Sequence, residues 1–416
     1  MKQPKIRFKG FEGEWDYLSF KQAFSFLKNN SLSRAELDFN NGCVKNVHYG
    51  DVLIKYGELL NLSQEEVPYI KESTSATKIS SDSQLRNGDI IFADAAEDNT
   101  VGKCTEIRGI GKSEKIVSGL HTIPCRPYYS FEDGYLGYYL NSSCYHDQLL
   151  PHIQGTKISS ISKKALTSTH LLFSNNLKEQ KAIADYFKSL DSLIQTTTKK
   201  IASLKQMKSA CLVSMFPQEG ETKPRVRFKG FEGEWKKDKA INLFETFNIR
   251  NRPDLPVLSA NQDIRGMAPR TESGYNISHD RANEVTYKVV KPGQFVIHLR
   301  SFQGGFAHSS VEGITSPAYT VFGLKDERNH DDYFWKIIFM SKTFVKRLET
   351  ITYGIRDGRS ISFGEFSEMP FLFPCCEEQQ KIASFFSTLD AQISIQEQRL
   401  EKLKQIKSAC LDKMFV

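Results

Sequence analysis

Several kinds of chemistry are missing from this 416-residue chain. No run of about 18 apolar residues occurs, so no membrane span is expected. The eight cysteines (Cys43, Cys104, Cys125, Cys144, Cys211, Cys375, Cys376 and Cys410) form no C-x-x-C pair, which leaves a zinc ribbon or a redox dithiol unsupported. Scattered free thiols suit a reducing cytoplasm. The nine histidines stand singly, without H-E-x-x-H or metal-ligand spacing, so no metal is expected. Ile110-Gly111-Lys112-Ser113 looks like the end of a phosphate-binding loop, but the glycine required five residues before Gly111 is Glu106. The carboxylates at 94–98 read as a solvated loop. No Asn/Asp-Pro-Pro-aromatic motif and no helicase motif occurs. The chain is therefore expected to lack a catalytic centre and a cofactor.

A basic tail is also absent. The net charge is +7, spread as about −2 over residues 16–175, +4 over 176–217, +3 over 236–373 and 0 over 374–416. Any nucleic-acid contact must therefore place its charge locally, in loops and grooves. No apolar run follows the basic start of the chain, so no secretory leader is expected. What is plentiful is core material: 29 Phe and 16 Tyr, enough to make long disorder unexpected.

The main positive signal is a repeat. PKIRFKGFEGEW at 4–15 returns as PRVRFKGFEGEW at 224–235, with ten of twelve positions identical. EQKAIADYFKSLDSLI at 179–194 matches EQQKIASFFSTLDAQI at 378–393, and KQMKSACL at 205–212 matches KQIKSACL at 404–411. Weaker matches join 85–92 to 290–297, 118–122 to 316–320 and 160–162 to 360–362. The offset falls from 220 to about 199, so the first copy carries insertions that the second lacks. Two related modules with unlike surfaces predict two related sites that read different things. Neutral loop drift after duplication is the alternative.

Residues 177–215 are patterned as a helix, with Ile183, Phe187, Leu190, Ile194, Ile201, Leu204 and Cys211 at spacings of three, four and seven and no Pro or Gly between them. Asn176 and Glu179 suit a capping pair. At 1.5 Å per residue such a helix spans roughly 55–60 Å. Ile382, Phe386, Leu389, Ile393, Leu403 and Cys410 repeat the stripe. Each stripe needs a partner, and an antiparallel coiled coil of the two copies supplies one. The stretches 16–175 and 236–373 mix strand and helix signals. Strands are expected at 51–56, 89–93, 115–118, 287–290, 294–300 and 319–324, and helices near 135–144 and 333–350. The fold class is α/β: two globular α/β domains in tandem pseudo-symmetric repeat, separated by two long antiparallel coiled-coil helices. The expected boundaries are 1–175, 176–217, 218–373 and 374–416.

From the residues alone, three readings stand: a DNA-reading subunit of a larger complex, a stand-alone DNA-binding regulator with a pseudo-dimeric body, and a scaffold that only assembles partners. The repeated RFKGFEGEW segments, EQ-x-x-IA helix starts and KQ-x-KSACL helix ends resemble type I restriction-modification specificity (S) subunits over the whole chain. That resemblance implies two target-recognition domains that each read half of a split site in double-stranded DNA. It implies helices that space the halves and dock two methyltransferase (M) subunits. It also implies endonuclease/translocase (R) subunits joined through the methyltransferase, a cytoplasmic location, and no catalysis in this chain.

Base and phosphate contacts call for Arg, Lys, Asn, Gln, Ser and Thr near loops. In the first module the expected contacts are Lys55, Tyr56, Lys112, Lys115, Gln154, Thr156, Lys157 and Ser159. In the second they are Ser259, Asn261, Arg265, Arg270, Arg300, Ser301, Gln303, Arg356, Arg359 and Ser360.

Overall fold

The computed structural model describes residues 3–72, 83–261, 266–270, 281–298, 305–351 and 361–416. The chain forms two compact units. Unit 1 comprises Met1–Thr198 with Gln398–Val416, and unit 2 comprises Lys199–Glu397.

The two periodic stretches are helices Leu177–Ser214 and Cys376–Met414, of 38 and 39 residues. Each begins in one unit and ends in the other. Within unit 1 the start of the first helix runs antiparallel to the end of the second: Tyr186 Oη lies 3.4 Å from Cys410 Sγ, and Lys407 Nζ lies 2.6 Å from Asp191. Within unit 2 the same arrangement recurs with the roles exchanged, where Lys205 pairs with Glu397 at 2.7 Å and Lys208 pairs with Asp390. The repeated lysine of KQ-x-KSACL thus meets the repeated aspartate of the other copy in both units. A tyrosine from each module donates to that aspartate as well, Tyr138 to Asp191 at 2.7 Å and Tyr333 to Asp390 at 2.9 Å.

The repeated start of each helix is explained by what it holds. Glu179 and Glu378 are almost wholly buried, and each takes a two-pronged guanidinium, from Arg7 at 2.6 and 2.9 Å and from Arg227 at 2.6 and 2.7 Å. Bidentate Arg–carboxylate pairing is strong and directional, and a carboxylate in the first helical turn also meets the positive end of the helix dipole. A third donor of each arginine reaches Gly13 O at 2.6 Å or Gly233 O at 2.7 Å. Gly13 and Gly233 turn there with φ of 89° and 80°, a region costly for any other residue. Glu179 therefore does not close a capping box with Asn176. Asn176 Oδ1 accepts instead from Lys178 N at 3.0 Å. The next residue stitches the module to its helix: Gln180 accepts from Glu132 N and donates to Ser174 O, and Gln379 accepts from Asp331 N and donates to Pro374 O.

Unit 1 is built on a five-stranded sheet in the order Phe24–Phe26, Thr122–Pro127, Ile90–Ala93, Cys104–Arg108, Leu59–Asn61. All its pairs are antiparallel except the last. A four-stranded sheet follows the order Ile116–Ser118, Lys45–Val47, Tyr69–Ile70, Leu37–Asp38. Unit 2 has a six-stranded sheet in the order Phe244–Phe247, Thr320–Leu324, Phe295–Ile297, Phe306–His308, Gly266–Pro269, Leu258–Asn261. In each unit the strand that follows the repeated Trp pairs with the strand that precedes the long helix, Asp16–Ser19 with His170–Phe173 and Lys236–Lys239 with Pro370–Phe373. Each main core then takes in the end of a long helix. Phe415 packs on Trp15, Tyr135, Tyr139 and Phe187 in unit 1, and Phe216 packs on Trp235, Phe334 and Phe386 in unit 2.

Some expected elements differ. Residues 51–56 are not a strand: Tyr49–Ile54 is a helix, started by His48 Nδ1 accepting from Gly50 N. A short apolar run does not distinguish the two by periodicity. The helix expected near 135–144 stops at Leu140, because Asn141 turns its side-chain amide back to Gly137 O and across to Cys104 O. The helix expected near 333–350 is two, Asp332–Phe339 and Lys342–Ile351, and Ser341 Oγ caps the second through Phe344 N. The expected strands near 89–93, 115–118, 287–290 and 319–324 are present as Ile90–Ala93, Ile116–Ser118, Lys288–Val290 and Thr320–Leu324. Glu106, in the place of the missing phosphate-loop glycine, is a buried carboxylate that accepts from Gly134 N and Gly137 N at 2.8 and 2.9 Å. Burial pushes its pKa up, against the pull of those two amides.

Candidate nucleic-acid interface

The first-module candidates sit on three pieces of backbone. Lys55 ends the helix Tyr49–Ile54 and is exposed, with its ammonium on Glu66 O at 2.6 Å and 5.0 Å from the Phe39 ring centroid. Tyr56, the next residue, is not on the surface. It is 1% exposed, its hydroxyl donates to Glu66 O at 3.2 Å, and burial holds its phenol well above the usual range. Its ring belongs to the smaller core of unit 1 with Val52, Leu60 and Ile91, so its expected DNA contact is corrected to a packing role.

Lys112 and Lys115 lie on the turn that leads into the edge strand Ile116–Ser118, and both are exposed. Glu114 shapes that turn by accepting from Gly111 N at 2.8 Å and from Lys45 Nζ at 2.7 Å. The Lys45 hydrogen bond, followed by the Gly111 amide, holds the Glu114 carboxyl below its ordinary pKa. The acid between the two candidate lysines is thus spent inside the turn, while their own ammoniums face water.

Gln154, Thr156, Lys157 and Ser159 occupy one loop. It is closed by Gln154 N to Ser160 O at 3.0 Å and Ser160 N to Gln154 O at 2.7 Å. Gly155 has φ 102°, and a Cβ there would collide with Ile158 O, so only glycine fits. Gln154, Thr156 and Lys157 are exposed, and Ser159 is half-buried where Ser159–Ser160 pairs with Ala95–Ala96.

In the second module, Ser259, Asn261 and Arg270 belong to one hairpin at the edge of the six-stranded sheet. Ser259 faces Ala268, Asn261 faces Gly266, and Arg270 N bonds Val257 O at 2.9 Å. All three side chains are half-buried. The Ser259 hydroxyl is buried without a hydrogen-bond partner among the described residues. Arg265, Arg300, Ser301, Gln303, Arg356, Arg359 and Ser360 lie outside the described residues.

A further basic and aromatic group was missed by sequence reasoning. Phe39 is 44% exposed and lies between Lys55 and Arg34, whose guanidinium carbon is 5.4 Å from its ring centroid. Lys71 Nζ donates to Ala35 O at 2.7 Å nearby. Arg34 is ion-paired with Asp51, so the group gathers three cations, two of them without a carboxylate partner among the described residues, and an exposed ring in a module of negative net charge, an arrangement suited to a phosphate backbone. Its residues are spread over 34–71 in sequence, so no local pattern marked it. Among the described residues, no group of His, Cys, Asp and Glu is arranged to hold a metal, and no helix is long and apolar enough to cross a membrane.

Residues 233–405 match the family model described as the type I restriction modification DNA specificity domain. Two solved structures resemble the chain along its length. One is the type I restriction-modification S subunit from M. genitalium, with TM-score 0.61, 12% identity, and 100% of this chain and 99% of that one covered. The other comes from a study of complex assembly and conformational transition of the type I R-M system, with TM-score 0.51, 14% identity, and 96% and 97% covered. No curated protein matches the chain. Over residues 233–405 the chain is similar to that specificity domain, and along its length it has the fold of the M. genitalium S subunit.

Proposed function

From a type I restriction modification DNA specificity domain on an S-subunit fold, we propose that the chain is the DNA sequence-specificity subunit of a type I restriction-modification complex. It reads an asymmetric, bipartite duplex site, with one half-site for each target-recognition domain, residues 1–175 and 218–373. Its long helices dock methyltransferase subunits, two of them, and endonuclease/translocase subunits join through those. The chain contributes recognition and no catalysis, and it works in the cytoplasm.

One observation carries this reading: a framework repeated to the atom around surfaces that are not repeated. The Arg7–Glu179 and Arg227–Glu378 forks and the two glutamine stitches recur in both units, and so does a lysine–aspartate pair between the helices. The loops they carry differ in length, charge and side chains. A repeated mount with unlike contents is what a split, asymmetric site requires. Half-sites read from one side of a duplex lie about one helical turn apart, centre to centre.

The test is to express the chain with its methyltransferase partner in a host lacking adenine methylation and to map methylated adenines across the genome. The expected outcome is one motif of two unlike specified blocks separated by unspecified bases. Methylation without a two-block motif overturns the reading.

A further inference from the structure

The central antiparallel strands of unit 1 end on the pair Ala93–Thr122, and the next two residues, Asp94 and His121, face each other beyond the ladder. His121 sits in the left-handed region with φ 53°, which is uncommon for a residue other than glycine. Its ring is fixed on two sides. Nδ1 lies 3.2 Å from Asp94 Oδ1, and the Tyr49 ring packs edge-on with centroids 5.3 Å apart. Asp94 is itself held in place, since Asp94 N donates to His121 O and Asp94 O accepts from Ile161 N, at 3.0 and 2.9 Å. The imidazole nevertheless remains 51% exposed, against 26% for Asp94. A strained, oriented and exposed polar side chain is not needed for packing.

The position matters as much as the posture. Ile161 ends the stretch that carries the exposed loop of Gln154, Thr156 and Lys157, and Ser159–Ser160 pairs with the residues directly after Asp94. Tyr49 opens the helix that ends at Lys55. His121 therefore stands between two pieces of backbone that already present exposed polar and basic groups.

We propose that His121, oriented by Asp94, is a base-reading residue of the first half-site, an inference that rests on the proposed function above. The chemistry fixes what it reads. An ionised carboxylate only accepts, so in the neutral imidazole Asp94 holds the proton on Nδ1 and leaves Nε2 as a lone-pair acceptor. In the major groove that acceptor matches an exocyclic amine, adenine N6 or cytosine N4. In unit 2 the corresponding strands end on other side chains, His298 and Tyr319, with ring centroids 6.2 Å apart. The two modules thus differ at the end of their shared strands.

The experiment selects duplexes from a randomised library with the full-length chain bound to its methyltransferase partner. It compares the wild type with His121→Phe and the isosteric Asp94→Asn. His121→Phe is expected to relax one position of one half-site by about tenfold and to leave the other half-site intact. Asp94→Asn places an amide donor on Nδ1, moves the ring proton to Nε2 and turns the acceptor into a donor. If the wild-type base is cytosine, which offers no acceptor there, preference at that position is then expected to move to guanine or thymine; if it is adenine, whose N7 accepts, guanine and thymine are expected to join it. If both variants select the wild-type bases in both halves, or lose both halves equally, the His121 assignment is overturned while the split-reader function stands. If the wild type itself selects no two-block motif, the function proposed above falls, and this inference with it.

Discussion

At the scale of single residues, the two buried carboxylates Glu179 and Glu378 depend on one arginine each. Their side chains are 1% exposed, so a neutral replacement of the partner leaves an uncompensated charge away from water. Arg7→Met is therefore expected to destabilise unit 1 by about 3–5 kcal/mol, the usual cost of breaking a buried pair from one side. Urea unfolding followed at Trp15, with Trp235 and Trp335 replaced by Phe, measures it. The same replacement at Arg227 should leave the Trp15 transition nearly unchanged, because among the described residues Arg227 bonds within unit 2. Equal effects of both variants on Trp15 would contradict this assignment. The sequence repeat picked out both arginines and both glutamates, yet nothing local pairs residues 172 positions apart.

At the scale of elements, the ion pairs that join the helices are similar but unequal. Lys208 meets Asp390, whereas Lys407 meets Asp191 and also Glu58, at 2.6 and 2.7 Å. Burial would lower the pKa of Lys407, but the two carboxylates outweigh it and raise the value above 10.5. A lysine with a raised folded pKa adds stability that is complete below its unfolded pKa and is lost as pH rises through the folded value. Lys407→Met is expected to cost about 3–5 kcal/mol at neutral pH. The gap between wild type and variant should stay constant up to about pH 10 and close above it. A gap that narrows toward acid instead, tracking the carboxylates alone, would refute this account. The helices themselves were legible as long 3.6-residue periodicity, while 51–56 was misread because six residues of mixed apolar character fit either element.

At the scale of the whole molecule, a common mount should accept either reader. A chain with residues 16–175 in place of 236–373 keeps both forks, both helices and both strand pairs that flank the modules. With its methyltransferase partner, such a chain is expected to methylate a site whose two specified blocks are the same sequence. Methylation mapping decides it, and retention of the original second block would show that block to be read elsewhere in the chain.

The sequence by itself determined the duplication, the two helices, the α/β modules and the absence of metal-ligand spacing. Each of these is written in neighbouring residues or in their repetition. It also named loops whose polar residues are exposed, such as Gln154, Thr156 and Lys157. Only the tertiary structure decided which partner each charge takes. Tyr56 went to a core, Glu106 to two amides, Glu114 to the inside of its turn, and His121 to a place beside Asp94. The physical reason is range. Periodicity and capping act over three or four residues, whereas burial and ion pairing act between residues that only the folded chain brings together.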